Sequence, residues 1–313
     1  MKPKDKPIAE KYDSILLKYN KEVRPLFGIH DKENRLAFVE QLLESIRRVD
    51  FVKKIESNSF TSSFSDPSSP LFDPLKGAIY LKNTGDFEEA CWLVFHFVYF
   101  GKHRYGGWRY SREVYGALGQ EENWNWNRIS KDIKGFRKWL KRNQDYIKRK
   151  DIPGGFGNHR KYESLDASSS RGTGSAFEAY VNWVLPFGSH SMLFDKVNQD
   201  SGGDAKIAFD KLFKSMSKVV SFGRTAKFDY LTMIGKLNLT QIKPGTPYLS
   251  NATGPLTGAK LLFTGDATMN VNPKDLENWI IELDSYMDVG MQVFEDSLCN
   301  WQKSPSIFKP FRG

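Results

Sequence analysis

The sequence predicts a mainly α-helical fold. Apolar residues recur at helical spacing along most of the 313 residues, and loops rich in Gly, Ser and Pro separate these segments. No segment shows a convincing strand-like alternation, and no stretch is repeated. With 40% hydrophobic residues, the chain can bury a substantial core. We divide it into an N-terminal helical region, residues 1–85, and a larger helical region, residues 86–313, which contains the candidate functional residues.

Two helices are predicted in the first hundred residues. Asp31 can cap the first, whose apolar face comprises Leu36, Val39, Leu42, Leu43, Ile46 and Val49. The second extends from about Asp86 to Phe100 and is stopped by Gly101. Residues 58–74, dense in Ser, Pro and Phe, are expected to form the loop between them.

Composition excludes several classes of protein. The longest apolar run, residues 91–100, is half the length of a membrane span and contains a histidine, so we expect a core helix and no membrane partner. Cys91 and Cys299 form neither a disulfide framework nor a zinc motif, and the N-terminus lacks a signal peptide, which favours a reducing cytoplasm. The five histidines lack metal-ligand spacing, and no phosphate-binding glycine motif is present. We therefore expect no metal and no cofactor, and carboxylates are the leading catalytic groups.

Positive charge is concentrated in residues 102–161. This segment holds sixteen Lys and Arg against six Asp and Glu, an excess of ten, whereas the whole chain has a net charge of +9. Ten aromatic residues are interleaved with the cations, among them Trp108, Trp124, Trp126 and Trp139. Cations hold phosphates and aromatic rings stack on exposed bases, so the pattern favours a nucleic-acid enzyme or binder over a merely solvated surface.

A helix is predicted from Arg128 to Arg149. Its apolar residues Ile129, Ile133, Phe136, Leu140 and Ile147 share one face, and the opposite face collects cations. Such a cationic ridge would neutralise DNA phosphates without recognising sequence. The predicted DNA contacts in this region are Arg109, Lys131, Lys134, Lys138, Lys141 and Arg142.

The glycine-rich stretch between Asp151 and Thr173 is interpreted as a substrate loop, with a plain connector as the alternative. Its predicted substrate-binding residues are Asn158, His159, Arg160 and Arg171. Helical patterns resume at about Ser175, which places Glu178 one turn from the loop. Further helices are predicted from Asp204, around residues 228–237 and from Asn272-Pro273. Arg224, Lys227 and Asp229 gather near the start of the middle helix.

Three stretches carry a resemblance to a known family: GGFGNHRKYESLDASSSRGTGSAFEAYVNWV, SFGRTAKFDYLTMIGKL and PGTPYLSNATGPLTGAKLLFTGD. Together they resemble the alpha-glutamyl/putrescinyl thymine pyrophosphorylase families, over roughly residues 90–300. The resemblance implies a fold similar to that of the helix-hairpin-helix DNA glycosylases, with long substrate loops.

Gly254, Gly258 and Lys260 are the predicted phosphate contacts of such a hairpin. Gly254-Pro255 and Gly258 can form a tight turn between helices, where backbone N–H groups at a helix start favour a phosphate. The familiar glycosylase pattern is Gly-apolar-Gly followed by Thr-Ala, and this sequence departs from it. A simple turn between two helices is the alternative.

Three acids are candidates for catalysis. In the glycosylases an essential carboxylate follows the hairpin, and Asp266 is the nearest acid downstream, although it can equally cap a turn. Asp229, flanked by Arg224 and Lys227, competes with it, and Glu178 is third.

Three functions fit this sequence. The first is a metal-independent DNA glycosylase that excises a bulky hypermodified pyrimidine from phage DNA and leaves an abasic site, as an antiphage defence. The second is implied by the family's name: an amine or amino acid displaces pyrophosphate from activated 5-hydroxymethyluracil in DNA, and Arg and Lys hold the diphosphate. The third is a DNA-binding module without activity. DNA is the expected partner in all three.

Overall fold

Helices dominate the molecule, as the sequence predicts. The structure, a computed structural model, describes residues 3–310 apart from the side chain of Lys4. Within that range there is no β-strand, only an isolated antiparallel bridge between His103 and Gly107. The α-helices are, in chain order, α1 (Lys6–Glu22), α2 (Lys32–Glu56), α3 (Pro74–Asn83), α4 (Phe87–Phe100), α5 (Arg109–Tyr115), α6 (Trp126–Lys131), α7 (Ile133–Ile147), α8 (Thr173–Val184), α9 (His190–Asp200), α10 (Ala205–Ser215), α11 (Arg224–Lys236), α12 (Gly254–Thr264), α13 (Pro273–Met287) and α14 (Met291–Trp301).

Side-chain caps determine where many of these helices begin. Asp86 accepts a hydrogen bond from the backbone N–H of Glu89 and starts α4, and Gly101, at φ +62°, ends it, both as predicted. Caps of the same kind stand before α3, α6, α7, α9, α10 and α13, at Asp73, Asn125, Asp132, Ser189, Asp204 and Asn272.

The single helix predicted over residues 128–149 is two helices. Asp132 leaves the helical conformation, with φ −136° and ψ 57°, and its carboxylate accepts a hydrogen bond from the N–H of Gly135. One residue therefore ends α6 and caps α7. The buried face is nevertheless largely the predicted one, since Ile129, Phe136 and Leu140 are fully buried.

Residues 55–243 form one compact unit, with α4 at its centre. Helices α3, α5, α6, α9 and α11 all pack against α4. Its rings pack against those of α8: Phe95 lies 5.3 Å from Phe177, edge to face, and 4.0 Å from Tyr180, measured between ring centroids. Most residues of α4 are buried, so it is the core helix expected from its apolar run. Among residues 3–310, no helix is both long and apolar enough to cross a membrane.

The second compact unit combines residues 1–54 with residues 244–313. Its core is formed by α1, most of α2, and α12 to α14. Of the predicted face of α2, Val39, Leu42 and Leu43 are buried. Leu36 is exposed, whereas Phe38, which was not among the predicted residues, is fully buried. The units do not coincide with the division at residues 85 and 86 drawn from the sequence, because the C-terminal helices pack with the N-terminal ones.

The structure corrects the predicted hairpin at residues 254–258. Gly254 is the first residue of α12 and Gly258 lies within that helix, which packs against α14. A Cβ atom at Gly258 would lie 2.3 Å from the carbonyl oxygen of Leu298. The glycines therefore allow two helices to approach closely, a role that composition alone does not separate from a tight turn.

Replacing Gly258 with Ala should destabilise the fold. The new methyl group has no room against the α14 backbone, and we expect the free energy of unfolding to fall by about 1–3 kcal/mol. Urea denaturation would measure this loss. Lys260→Ala, on the same helix but partly exposed, is the matched control and should stay within about 0.5 kcal/mol of the parent. Equal stability of the two variants would contradict close packing of α12 on α14.

Glu89 should make stability depend on pH. Burial raises the pKa of this carboxyl from its ordinary 4.5 to about 7, against hydrogen bonds donated by the N–H of Trp126 and the hydroxyl of Tyr115. Because the pKa is higher in the folded state, Glu89 contributes stability below about pH 4.5 that is lost as pH rises to about 7. The loss amounts to about 3 kcal/mol.

Glu89→Gln removes this titration. The variant also loses one hydrogen-bond acceptor, but the cost of that loss does not vary with pH. Melting temperatures measured from pH 5 to pH 8 should therefore fall with pH for the parent relative to the variant. Parallel curves would show that Glu89 does not titrate in this range.

Candidate functional site

The loop predicted to contact substrate lies against the end of α4. The N–H of Gly157 donates a hydrogen bond to the carbonyl of Phe100 over 2.7 Å. A Cβ atom at Gly157 would lie 2.8 Å from the carbonyl carbon of Gly101, so only glycine allows this approach. The backbone of the loop is thereby fixed to the core helix of the unit.

Arg160 is the anchor of this loop. Its side chain is 9% exposed; Nε donates to the carbonyl of Val98, on α4, over 2.8 Å. Its Nη2 lies 3.1 Å from Oδ2 of Asp229, on α11. One guanidinium therefore connects the substrate loop with two helices, and it brings together two residues that the sequence singled out separately.

The carboxylate of Asp229 is accessible but poorly hydrated. Its side chain is 45% exposed, yet burial is the largest influence on its pKa and raises it above the ordinary value. Surrounding protein thus removes much of its water while leaving an opening to solvent. Positive charges from Arg160, His159, Arg224 and Lys236, in that order, oppose the rise.

A buried hydrogen-bond chain holds Tyr230, the residue that follows Asp229 on α11. The hydroxyl of Tyr230 lies 2.7 Å from that of Tyr180, which lies 2.8 Å from Nε2 of His190. Nδ1 of His190 lies 2.7 Å from the carboxylate of Glu88. Because burial lowers the pKa of His190, a neutral ring with its proton on Nδ1 fits this order of donors and acceptors. The chain joins α11, α8, α9 and α4 and fixes the rotation of α11.

Glu163 is a second acid at this site, and sequence reasoning missed it. Burial raises its pKa, while the positive charges of Arg160 and Arg171 and a hydrogen bond with Ser221 lower it. The hydroxyl oxygen of Ser221, a residue at φ +58°, also lies 2.7 Å from the carbonyl oxygen of Arg171. The available signal was the position of Glu163 three residues after Arg160 in a loop otherwise rich in cations.

The other predicted substrate-binding residues are distributed around this cluster. Asn158 and His159 are exposed on the same loop turn as Arg160, and Arg171 is exposed at the end of the loop. Arg224 lies over the ring of Phe228, 5.0 Å from its centroid. Lys227 is directed elsewhere: its Nζ donates to Ser217 over 3.0 Å and lies over Phe213, and burial lowers its pKa.

Neither of the other two candidate acids shares the surroundings of Asp229. Asp266 is exposed in a turn, where its carboxylate accepts hydrogen bonds from the hydroxyl and N–H of Thr268 that lower its pKa. Glu178 forms an ion pair with Arg137, on α7. Among residues 3–310, no group of His, Cys, Asp or Glu is arranged to hold a metal ion.

Comparison with known proteins gives one family. The model of alpha-glutamyl/putrescinyl thymine pyrophosphorylase clade 3 matches residues 33–313. The chain belongs to this family. No curated protein and no solved structure matches it. The match includes the substrate loop, α11 and the predicted phosphate-contact residues, and the family's description implies an enzyme that processes modified thymine in DNA.

The cationic ridge of this family member is largely exposed. Lys131, Lys134, Lys138, Lys141 and Arg142 are all exposed on α6 and α7. Arg109 is not part of this surface. It is 5% exposed, donates to the carbonyl of Ile147 over 2.9 Å and pairs with Glu113, so it stabilises the interior.

The tryptophans of the basic segment do not form the expected surface for stacking on bases. Trp124, Trp126 and Trp139 are 1–6% exposed and belong to the core. Trp108 is partly buried and donates from Nε1 to Asp73 over 3.1 Å. The alternation of aromatic residues with cations in the sequence therefore reflects buried rings next to exposed cations.

Replacing Lys131, Lys134 and Lys138 with Gln should weaken DNA binding without abolishing it. For every DNA phosphate that the variant no longer neutralises, the slope of log K against log salt should decrease in magnitude by about 0.9. Fluorescence anisotropy with a labelled duplex at about 50–200 mM salt would measure it.

The matched control replaces three lysines of α10 in the same compact unit, Lys206, Lys211 and Lys214, with Gln. Both triple variants lose the same charge, so only a local phosphate contact separates them. If the slope decreases equally for both variants, the lysines of α6 and α7 act only through net charge and do not contact phosphates.

Proposed function

We propose that this chain joins an amine to an activated thymine of DNA and displaces pyrophosphate. The observation that carries the proposal is the gathering of cations around Asp229, whose carboxylate is accessible and feels the charges of Arg160, His159, Arg224 and Lys236. Arg160, Arg171, Arg224 and Lys236 outnumber the two carboxyls of the site, Asp229 and Glu163, and such an excess suits a substrate with several negative charges, such as a diphosphate ester. Membership of the pyrophosphorylase family supports the same reaction.

Asp229 is the base in this scheme. It accepts a proton from the incoming ammonium group, and the nitrogen attacks the methylene carbon of the activated base. The bond from that carbon to the diphosphate oxygen breaks, and pyrophosphate leaves with the electron pair. A carboxyl whose pKa is raised by desolvation is a stronger base than an ordinary one.

The cations stabilise the leaving group. In this proposal Arg224 and the ring N–H of His159 bind the diphosphate, while Arg160 holds Asp229 in place. Asn158, Arg171 and Lys227 remain proposals as substrate contacts, and Lys227 would have to leave Ser217. DNA would lie along the exposed lysines of α6 and α7.

Excision of a modified base is the second candidate, supported by the two acids near Arg160. In this scheme one of the two carboxyls keeps a proton and acts as the acid while the other is ionised; burial raises the pKa of both Glu163 and Asp229, which suits the protonated role. Water would attack the anomeric carbon of an everted nucleoside, and the bond to the base would break. Phage DNA with hypermodified pyrimidines is the substrate proposed for this reaction, in antiphage defence.

One assay separates the two reactions. The protein is incubated with DNA that carries either activated 5-hydroxymethyluracil plus an amine, or a hypermodified pyrimidine. Mass spectrometry then detects pyrophosphate with an amine adduct, or a released base with an abasic site. The first pair of products supports transfer and the second supports excision. If neither forms, both proposals fail.

Asp229→Asn should lower the rate about 10²- to 10⁴-fold while DNA binding persists, because the amide cannot accept the proton. The parent rate should fall as pH drops through the raised pKa of Asp229, since only the ionised form is active. Rates from pH 4 to pH 8 would measure this limb. Asp266→Asn tests the rival assignment and should retain activity; the reverse result would identify Asp266 as the base.

A further inference from the structure

Two tyrosines near the candidate site are unusually exposed. Tyr105 is 75% exposed and Tyr162 is 89% exposed, the largest fractions among the large hydrophobic side chains that the structure describes. Neither ring contributes to the core, so folding does not explain them. Aromatic rings on a surface are typical of binding sites.

The backbone presents both rings on segments that pack together. Tyr105 lies in a tight turn closed by two hydrogen bonds between His103 and Gly107, of 2.9 and 3.0 Å. A Cβ atom at Gly106 would lie 2.4 Å from the carbonyl oxygen of Pro153, which shows that this turn touches the substrate loop. Tyr162 lies further along that loop.

Each ring is accompanied by a cation. The guanidinium of Arg104 lies 5.3 Å from the ring centroid of Tyr105, and Nζ of Lys161 lies 5.1 Å from that of Tyr162. Residues 101–107 and 152–162 contain no acidic residue. Each exposed ring therefore lies beside an exposed cation, a combination that complements a ligand that is both polyanionic and aromatic.

We propose that Tyr105 and Tyr162 form a stacking platform for unpaired bases of the DNA strand that enters the site. Arg104 and Lys161 bind the adjoining phosphates. Tyr162 directly precedes Glu163 and lies two residues from Arg160, so the platform borders the cluster around Asp229. The inference rests on the proposed function and adds that the substrate is single-stranded or locally opened, because bases paired in a duplex do not expose their faces.

Binding of unmodified oligonucleotides tests the platform without any reaction. Fluorescence anisotropy compares a labelled single strand with the same sequence as a duplex. The double variant Tyr105→Ala with Tyr162→Ala should bind the single strand about 5- to 100-fold more weakly and the duplex almost unchanged. Tyr105→Phe with Tyr162→Phe keeps the rings and should bind like the parent.

Two controls separate stacking from other losses. Tyr286→Ala removes an exposed tyrosine from α13 and should leave both affinities unchanged. Salt dependence should persist in the Ala variant, because Arg104 and Lys161 are retained. Parent-like binding by the Ala variant, an equal loss for single strand and duplex, or no binding of single strands by the parent would each overturn the platform.

Failure of the platform and failure of the proposed function give different results. If the Ala variant loses single-strand affinity but no product forms in the mass-spectrometric assay, the platform stands and the reaction is wrong. If product forms and the Ala variant binds like the parent, only the platform is wrong.

Discussion

The buried guanidinium of Arg160 is the interaction on which the site depends. Removing an arginine from water is costly unless its N–H groups find acceptors and a counter-charge lies nearby. The carbonyl of Val98 supplies an acceptor from α4, and Asp229 supplies the charge from α11. If the loop moved away from these helices, the carboxylate of Asp229 would lose its ion pair with Arg160 while remaining partly desolvated. A long glycine-rich segment thereby acquires a defined position.

The fold destabilises the ionised form of Asp229. Its raised pKa means that the folded protein holds the ionised carboxylate less well than water does, even with Arg160, Arg224 and Lys236 nearby. An acid selected only to neutralise Arg160 would be expected to have a lowered pKa, as Asp266 and other hydrogen-bonded acids of this chain do. Partial exposure without full hydration is the condition under which a carboxyl can exchange protons with a bound substrate.

The parts of the structure that local chemistry determines could be predicted from sequence. The bounds of α4 follow from Asp86 and Gly101, and His159, Arg160 and Arg224 were recognisable as candidate substrate contacts, whereas Lys236 was not. Long-range contacts decided the rest. Helical spacing indicates that a tryptophan or Arg109 lies on a certain face, but not that another helix covers it. Glycine at Gly258 permits either a turn or close packing, and only the approach of α14 selects one. The pKa of Glu163 depends on burial and on contacts with Arg160 and Ser221, which only the fold brings close to it.

Helix α7, which carries the exposed lysines, is connected by hydrogen bonds to the loop that carries Arg160. Arg137, on α7, donates from Nε and Nη2 to the carbonyl of Ala167 over 3.1 and 3.0 Å, and Gln144, on the same helix, accepts from the N–H of Ala167 over 2.8 Å. Glu178 orients that guanidinium from α8. The exposed lysines of α7 and the end of the loop that carries Arg160 are therefore held in one frame. Glu178 thus has a structural reason to stand one turn after the loop: through its ion pair with Arg137 it helps to hold α7, α8 and the end of the loop together.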